Sequence, residues 1–222
     1  MRASGEATRQ RILEAAKQEF SRHGLAGARI NRIATEARAG KERLYAYFPS
    51  KETLFAAVGD RLIADVAGTA ALRGEDLPGY VGALFDVFVE DPNNARLHDW
   101  YSLQAGGDVP DAGGEARLQP KIDMIGEARL AGHVDPSWNP VGLMLLLIDI
   151  ARTLAIPHAM TEPLARADGE PSDVATRRRE AVAAARRLIA PAGPAPAGGP
   201  APDGIEGLRP YGRPERGGFQ RI

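Results

Sequence analysis

Between positions 41 and 47 stand two cations, a carboxylate and two phenols: Lys41, Glu42, Arg43, Tyr45 and Tyr47. A guanidinium can hold guanine O6 and N7 together, a carboxylate accepts from cytosine N4, and ammonium and phenol groups suit phosphate oxygens. On one exposed helix face these five side chains make a DNA-contacting group. The two tyrosines are also the kind of aromatic that packs one helix on another, and the residue types leave both readings open.

Such a face has to be held out by other elements. Apolar residues recur at helical spacing almost throughout the chain and nothing alternates with period two over a useful length, so an all-α protein is expected. The first helix is predicted over Thr8 to Arg22, with Ile12, Leu13, Ala16 and Phe20 on one face and His23-Gly24 ending it. A short helix from Ile30 to Ala37 places Ile30, Ile33, Ala34 and Ala37 at i, i+3, i+4 and i+7. After Arg38-Ala39-Gly40, a third helix over Lys41 to Tyr47 buries Leu44 and Phe48. Pro49 and Ser50 break the chain, and Ser50 is placed to cap a fourth helix that turns Leu54, Phe55, Val58 and Leu62 inward. Two short helices joined by a tight turn behind a longer support helix form a helix-turn-helix. Ile33, Ala34, Ala37 and Leu44 are its pins, and the two alanines let the helices cross closely.

Charge is divided in the same way. Residues 1–51 carry eleven Lys/Arg against five Glu, a net +6, whereas the whole chain is −1 and residues 52–222 are therefore −7. A basic head on an acidic body suits a phosphate-facing module, because the rest of the chain is repelled by the polyanion.

Several chemistries are excluded. Without cysteine there is no disulfide, thiolate metal site or cysteine nucleophile. His98, His133 and His158 are well separated, with no carboxylate cluster at metal spacing. There is no Gly-x-Ser-x-Gly elbow or phosphate-cradling glycine loop, so no catalytic residue, metal or cofactor is assigned. The N-terminus has no apolar signal core, and the longest apolar run, Val141 to Ile148, is too short to span a bilayer. A cytoplasmic protein without membrane contact is expected.

At this point residues 8–62 resemble the TetR family of bacterial transcriptional regulators. The resemblance is carried by Thr8-Arg9-Gln10-Arg11-Ile12-Leu13-Glu14-Ala15-Ala16, then Phe20, His23-Gly24, Ile33-Ala34 and Ala37. It continues through Leu44-Tyr45-Ala46-Tyr47-Phe48-Pro49-Ser50-Lys51-Glu52-Thr53-Leu54. It implies a homodimer on double-stranded DNA, a helical C-terminal domain for ligand binding and dimerisation, and repression released by a small effector. It places Lys41, Glu42 and Arg43 against base edges with Tyr47 nearby, Tyr45 and Lys51 on backbone phosphates, and Arg29, Asn31 and Arg32 where phosphate and an occasional base are met. Two positions depart from the family. The turn reads Arg38-Ala39-Gly40 where Gly-Val-Ser is usual, which removes the hydroxyl cap of the third helix. Glu42-Arg43 stands where a Gly-Thr pair is common, so an operator sequence cannot be borrowed from a relative.

The division expected is 1–50 for the head, 51–190 for the effector and dimerisation domain, with the fourth helix connecting over about residues 51–68, and 191–222 for a tail. Helices are predicted over Leu77–Glu90, Asn93–Gln104, Gly114–Ala131, Asn139–Met160 and Ser172–Ala190, with loops at Ala105–Gly114 and Pro163–Pro171. Fifteen of the thirty-two tail positions are Pro or Gly, too little core-forming material to repay ordering, so disorder is expected there. Phe85, Phe88, His98, Trp100, Tyr101 and Met124 are candidate pocket residues for an unidentified effector, although residues of this kind are more often ordinary core. Asn139–Met160 and Ser172–Ala190 are the candidate dimer helices, the first for its surplus of apolar surface and the second for small residues such as Ala181 and Ala185. An effector-independent DNA-binding protein is the alternative, and an all-α enzyme has no constellation to support it.

Overall fold

The structure is a computed structural model and describes residues 2–69, 72–104, 114–156 and 173–191. The described residues hold nine helices and no strand. In chain order they are α1 (Arg2–Gly27), α2 (Ile30–Glu36), α3 (Lys41–Tyr47), α4 (Lys51–Thr69), α5 (Leu77–Glu90), α6 (Pro92–Leu103), α7 (Gly114–Leu130), α8 (Pro140–Ala155) and α9 (Val174–Ile189). The loop expected at Pro163–Pro171, nearly all of that expected at Ala105–Gly114, the end of the helix expected to reach Met160, and the tail beyond Pro191 lie outside the described residues.

Most helix starts are written locally. Ser50 Oγ accepts from the Thr53 N–H at the head of α4, and Asp76 accepts from the Gly79 N–H at α5. Asp91 takes the Asn93 N–H at α6, Asn139 takes those of Val141 and Gly142 at α8, and Asp173 takes that of Thr176 at α9. Each satisfies a donor that the helix itself leaves open, a contribution of about 1 kcal/mol. Pro78, Pro92 and Pro140 follow at positions where a missing N–H costs nothing. The first helix is longer than predicted, running from Arg2 to Gly27 with a break at Gly24, whose φ of 62° is left-handed.

Two apolar clusters form. One gathers Ile12, Ala16 and Phe20 of α1, Ile33 and Ala34 of α2, Leu44 of α3, Leu54, Phe55 and Val58 of α4, and Leu97 of α6. Phe20 meets Phe55 edge to face at 5.0 Å. The other is built on α5, whose Tyr80, Val81, Leu84, Phe85 and Phe88 face Leu143, Met144, Leu147 and Ala151 of α8 and Ala181, Ala185 and Ile189 of α9. This corrects one expectation. Ala181 and Ala185 do not wait for a partner subunit; both are fully buried inside their own chain, where their small side chains let α9 lie close to α5 and α8. On α8, by contrast, Val141, Leu145 and Leu146 remain exposed.

Helix α6 joins the clusters. Leu97 enters the first and Ala95 the second. Trp100 lies against Gly24, where a Cβ would stand 2.7 Å from its ring, and its Nε1 donates to the Ser21 carbonyl. Tyr101 stacks on Phe55 at 4.3 Å and donates to that residue's carbonyl. Lys17 pairs with Asp91 at 2.6 Å. Burial would raise the Asp91 pKa, but the Lys17 ammonium and the Asn93 donors outweigh it and hold the carboxyl below its ordinary value. A carboxyl with a depressed native pKa contributes stability above its unfolded pKa and loses it as pH falls through the native one. Asp91→Asn, which keeps a capping oxygen, is expected to lower stability at neutral pH and to flatten the fall in urea-unfolding stability from about pH 5 downward. An unaltered acid limb would remove this pair from the account.

Candidate nucleic-acid interface

The candidate interface consists of α2, α3 and the turn between them. Ile33 and Ala34 seat α2 on the head core. The helix ends with the Arg38 N–H on the Thr35 carbonyl and the Ala39 N–H on the Ala34 carbonyl, the paired bonds of a Schellman closure. That closure needs a left-handed residue, and Arg38 supplies it with φ of 51°, at a cost of about 1 kcal/mol relative to glycine. Arg11 Nε donates to the Ala37 carbonyl and steadies the same end. Helix α3 then starts at Gly40 with no side-chain cap, as the missing turn serine implies. Its one buried side chain is Leu44, with Phe48 burying just after it. Lys41, Glu42 and Arg43 are exposed, and Tyr45 is 46% exposed.

The other predicted residues fall into different settings. Arg29 and Asn31 are exposed at the start of α2. Tyr47 is half-buried against Phe48, and its hydroxyl donates to the Gly5 carbonyl at 2.9 Å, fastening the first turns of α1. Lys51 reaches the Ala26 carbonyl at 3.4 Å. Arg32 is occupied by Glu19: its Nε lies 2.8 Å from Oε1 and 3.0 Å from Oε2, and its Nη2 lies 2.6 Å from Oε1. The same Oε1 accepts the Arg29 backbone N–H at 2.8 Å. Burial would raise the Glu19 pKa; the Arg32 and Arg29 hydrogen bonds, with the charges of Arg32 and His23, outweigh it and hold the carboxyl low. Sequence reasoning did not single out Glu19. Its signal is a carboxylate on the stripe that also carries Ala15, Ala16 and Phe20.

The six candidate pocket residues are divided between the clusters. Phe85 and Phe88 are buried in the α5 cluster and Met124 packs on it, whereas Trp100 and Tyr101 pack on the head. His98, between them in sequence on α6, has a buried Nδ1 with no hydrogen-bond partner among the described residues. Burial and the neighbouring Arg152 keep its imidazole below the usual histidine pKa. Arg152 of α8 pairs with Asp99 of α6 at 2.6 Å beside it.

Known proteins share this arrangement. Residues 12–58 match the model for bacterial regulatory proteins of the tetR family, and residues 76–187 match a tetracyclin repressor-like C-terminal domain. The chain belongs to the tetR family of bacterial regulatory proteins. It is a DNA-binding transcriptional regulator with a helix-turn-helix head and a helical C-terminal domain. The HTH-type transcriptional repressor SCO4008 of Streptomyces coelicolor is 34% identical over 70% of this chain and 82% of its own length. The crystal structure of SCO4942, also from Streptomyces coelicolor, is 40% identical and superposes with a TM-score of 0.67 over 82% of this chain and 98% of that one. A tetR-family regulator from Marinobacter aquaeolei, 21% identical, shares the fold with a TM-score of 0.69 over 86% of this chain and all of its own. No described helix is long and apolar enough to cross a membrane.

Proposed function

We propose that this tetR-family protein is a cytoplasmic repressor that grips a palindromic operator as a homodimer and lets go when a small molecule enters its C-terminal domain. Its function is binding, not catalysis. The observation that carries the reading is α3: Leu44 anchors it while Lys41, Glu42 and Arg43 stand free of the protein on its outer side. These three read base edges in the major groove. Tyr45, Lys51, Arg29 and Asn31 hold phosphates and set the register. Tyr47 and Arg32 contribute mainly by fixing the head, since each is already bonded within it.

Repression is supported by SCO4008, described as a repressor, and small-molecule binding by the structure of AibR with isovaleryl coenzyme A and operator DNA, a protein that shares the fold at 17% identity. Support for the homodimer comes from the exposed apolar residues of α8. Arg43→Ala is expected to weaken binding to the preferred site by about 1–3 kcal/mol and to relax sequence preference there. Selection from a random DNA pool with both proteins checks it. The same consensus, equally strong for the variant, would remove Arg43 from the readers.

A further inference from the structure

Helices α4, α5, α6, α8 and α9 each begin on a capping side chain of their own, but α2 begins on Arg29, whose side chain caps nothing. Glu19, ten residues back on α1, takes the Arg29 N–H instead and holds Arg32 with the same carboxylate. The two ends of this pair are unlike. The Glu19 side chain is 10% exposed, while that of Arg32 is 44% exposed and lines an open groove between α1 and α2. The first helix of a helix-turn-helix crosses the DNA backbone, so an exposed guanidinium on α2 has phosphate as its alternative partner.

We propose that Glu19 is a positioning residue of the DNA-reading head, seating α2 and holding Arg32 on the protein so that Arg32 is not among the cations that neutralise phosphate. The proposal rests on the helix-turn-helix assignment of α2 and α3. Glu19 holds the Nε and Nη2 edge of Arg32 and neutralises its charge, and phosphate can take that edge only by leaving a buried carboxylate without its guanidinium, which is strongly unfavourable. One cation fewer on the backbone weakens sequence-independent binding and leaves the base contacts of α3 untouched. The pair therefore favours specific over non-specific sites in a head whose net charge is +6 over residues 1–51.

The test is the salt dependence of binding to a short duplex of random sequence, for the unmutated protein, Arg32→Ala, Glu19→Gln and the double variant. Arg32→Ala is expected to leave the slope of log K against log salt unchanged. Glu19→Gln is expected to steepen it by about 0.9 per freed guanidinium, and the double variant to return it to the starting value. A head that is merely loosened does not gain slope, so the steepening separates release of Arg32 from loss of packing. A slope shallower by about 0.9 in Arg32→Ala would overturn the proposal, because Arg32 then grips phosphate in the complex. So would a folded Glu19→Gln with unchanged slope. Should Glu19→Gln unfold, the seating role stands and the Arg32→Ala slope decides the rest. Failure of the unmutated protein to bind any duplex would instead count against the DNA-binding assignment itself.

Discussion

Ala185→Asp is expected to unfold the C-terminal core and not simply to separate two subunits. Ala185 is fully buried on the face of α9 that also carries Ala181 and Ile189, against α5 and α8 of the same chain. A carboxylate there loses its water and meets an apolar layer. Arg178 of α9 is two turns away and already pairs with Asp86. An unpaired buried charge costs about 3–5 kcal/mol, a large part of the ~5–15 kcal/mol that holds a domain together. Urea unfolding followed by circular dichroism should show the loss directly, with Ala185→Ser, which adds little volume and a hydroxyl that can bond back to the helix, much less affected. If Ala185→Asp instead unfolds at the original midpoint and sediments as a folded monomer, the α9 face belongs to a subunit contact and its packing on α5 is wrong.

That substitution marks the limit of what apolar periodicity reveals. The spacing of α9 shows which face is apolar and small, but a chain's own core and a partner's surface ask for the same residues. Only the position of α5 decides between them. The same ambiguity affects α6. Its aromatic pair Trp100 and Tyr101 reads as a ligand wall or as core, and the deciding fact is that α1 and α4 present Gly24 and Gly59 to those rings. Helix starts, by contrast, are legible because cap and proline lie within three residues of each other, as in Asp76-Leu77-Pro78, Asp91-Pro92 and Asn139-Pro140. So is the frame of the head, since Ile33, Ala34 and Leu44 keep strict helical spacing on either side of a recognisable turn. What stays hidden are bonds across sequence distance. Glu19 caps a helix ten residues on, and Tyr47 reaches back to Gly5. Neither partner's type announces the other. Arg38 in a left-handed turn is hidden for another reason: its side chain disfavours that conformation, and the helix closure around it imposes it.

Leu145→Asp is expected to have the opposite signature, a folded protomer that no longer pairs. Helix α8 turns Leu143, Met144, Leu147 and Ala151 into the core and leaves Leu145 55% exposed, with Val141 and Leu146 beside it. A carboxylate at an exposed helical position stays hydrated in the separate protomer and changes its stability by no more than about 0.5 kcal/mol. In an isologous dimer, however, each substitution enters the interface twice and must be desolvated there. In the proposed homodimer, pairing matters because one helix-turn-helix reads too few base pairs to mark a site, and two heads on a two-fold axis would double the contact. A monomer should therefore bind the operator at close to its non-specific level, a loss of about 1,000-fold or more. Sedimentation at micromolar concentration, circular dichroism and operator titration together read the three consequences. A monomer with native helicity and weak operator binding is the expected result. If the variant stays a dimer and keeps its operator affinity, the subunits meet through another surface, and the apolar residues of α8 have to be explained some other way.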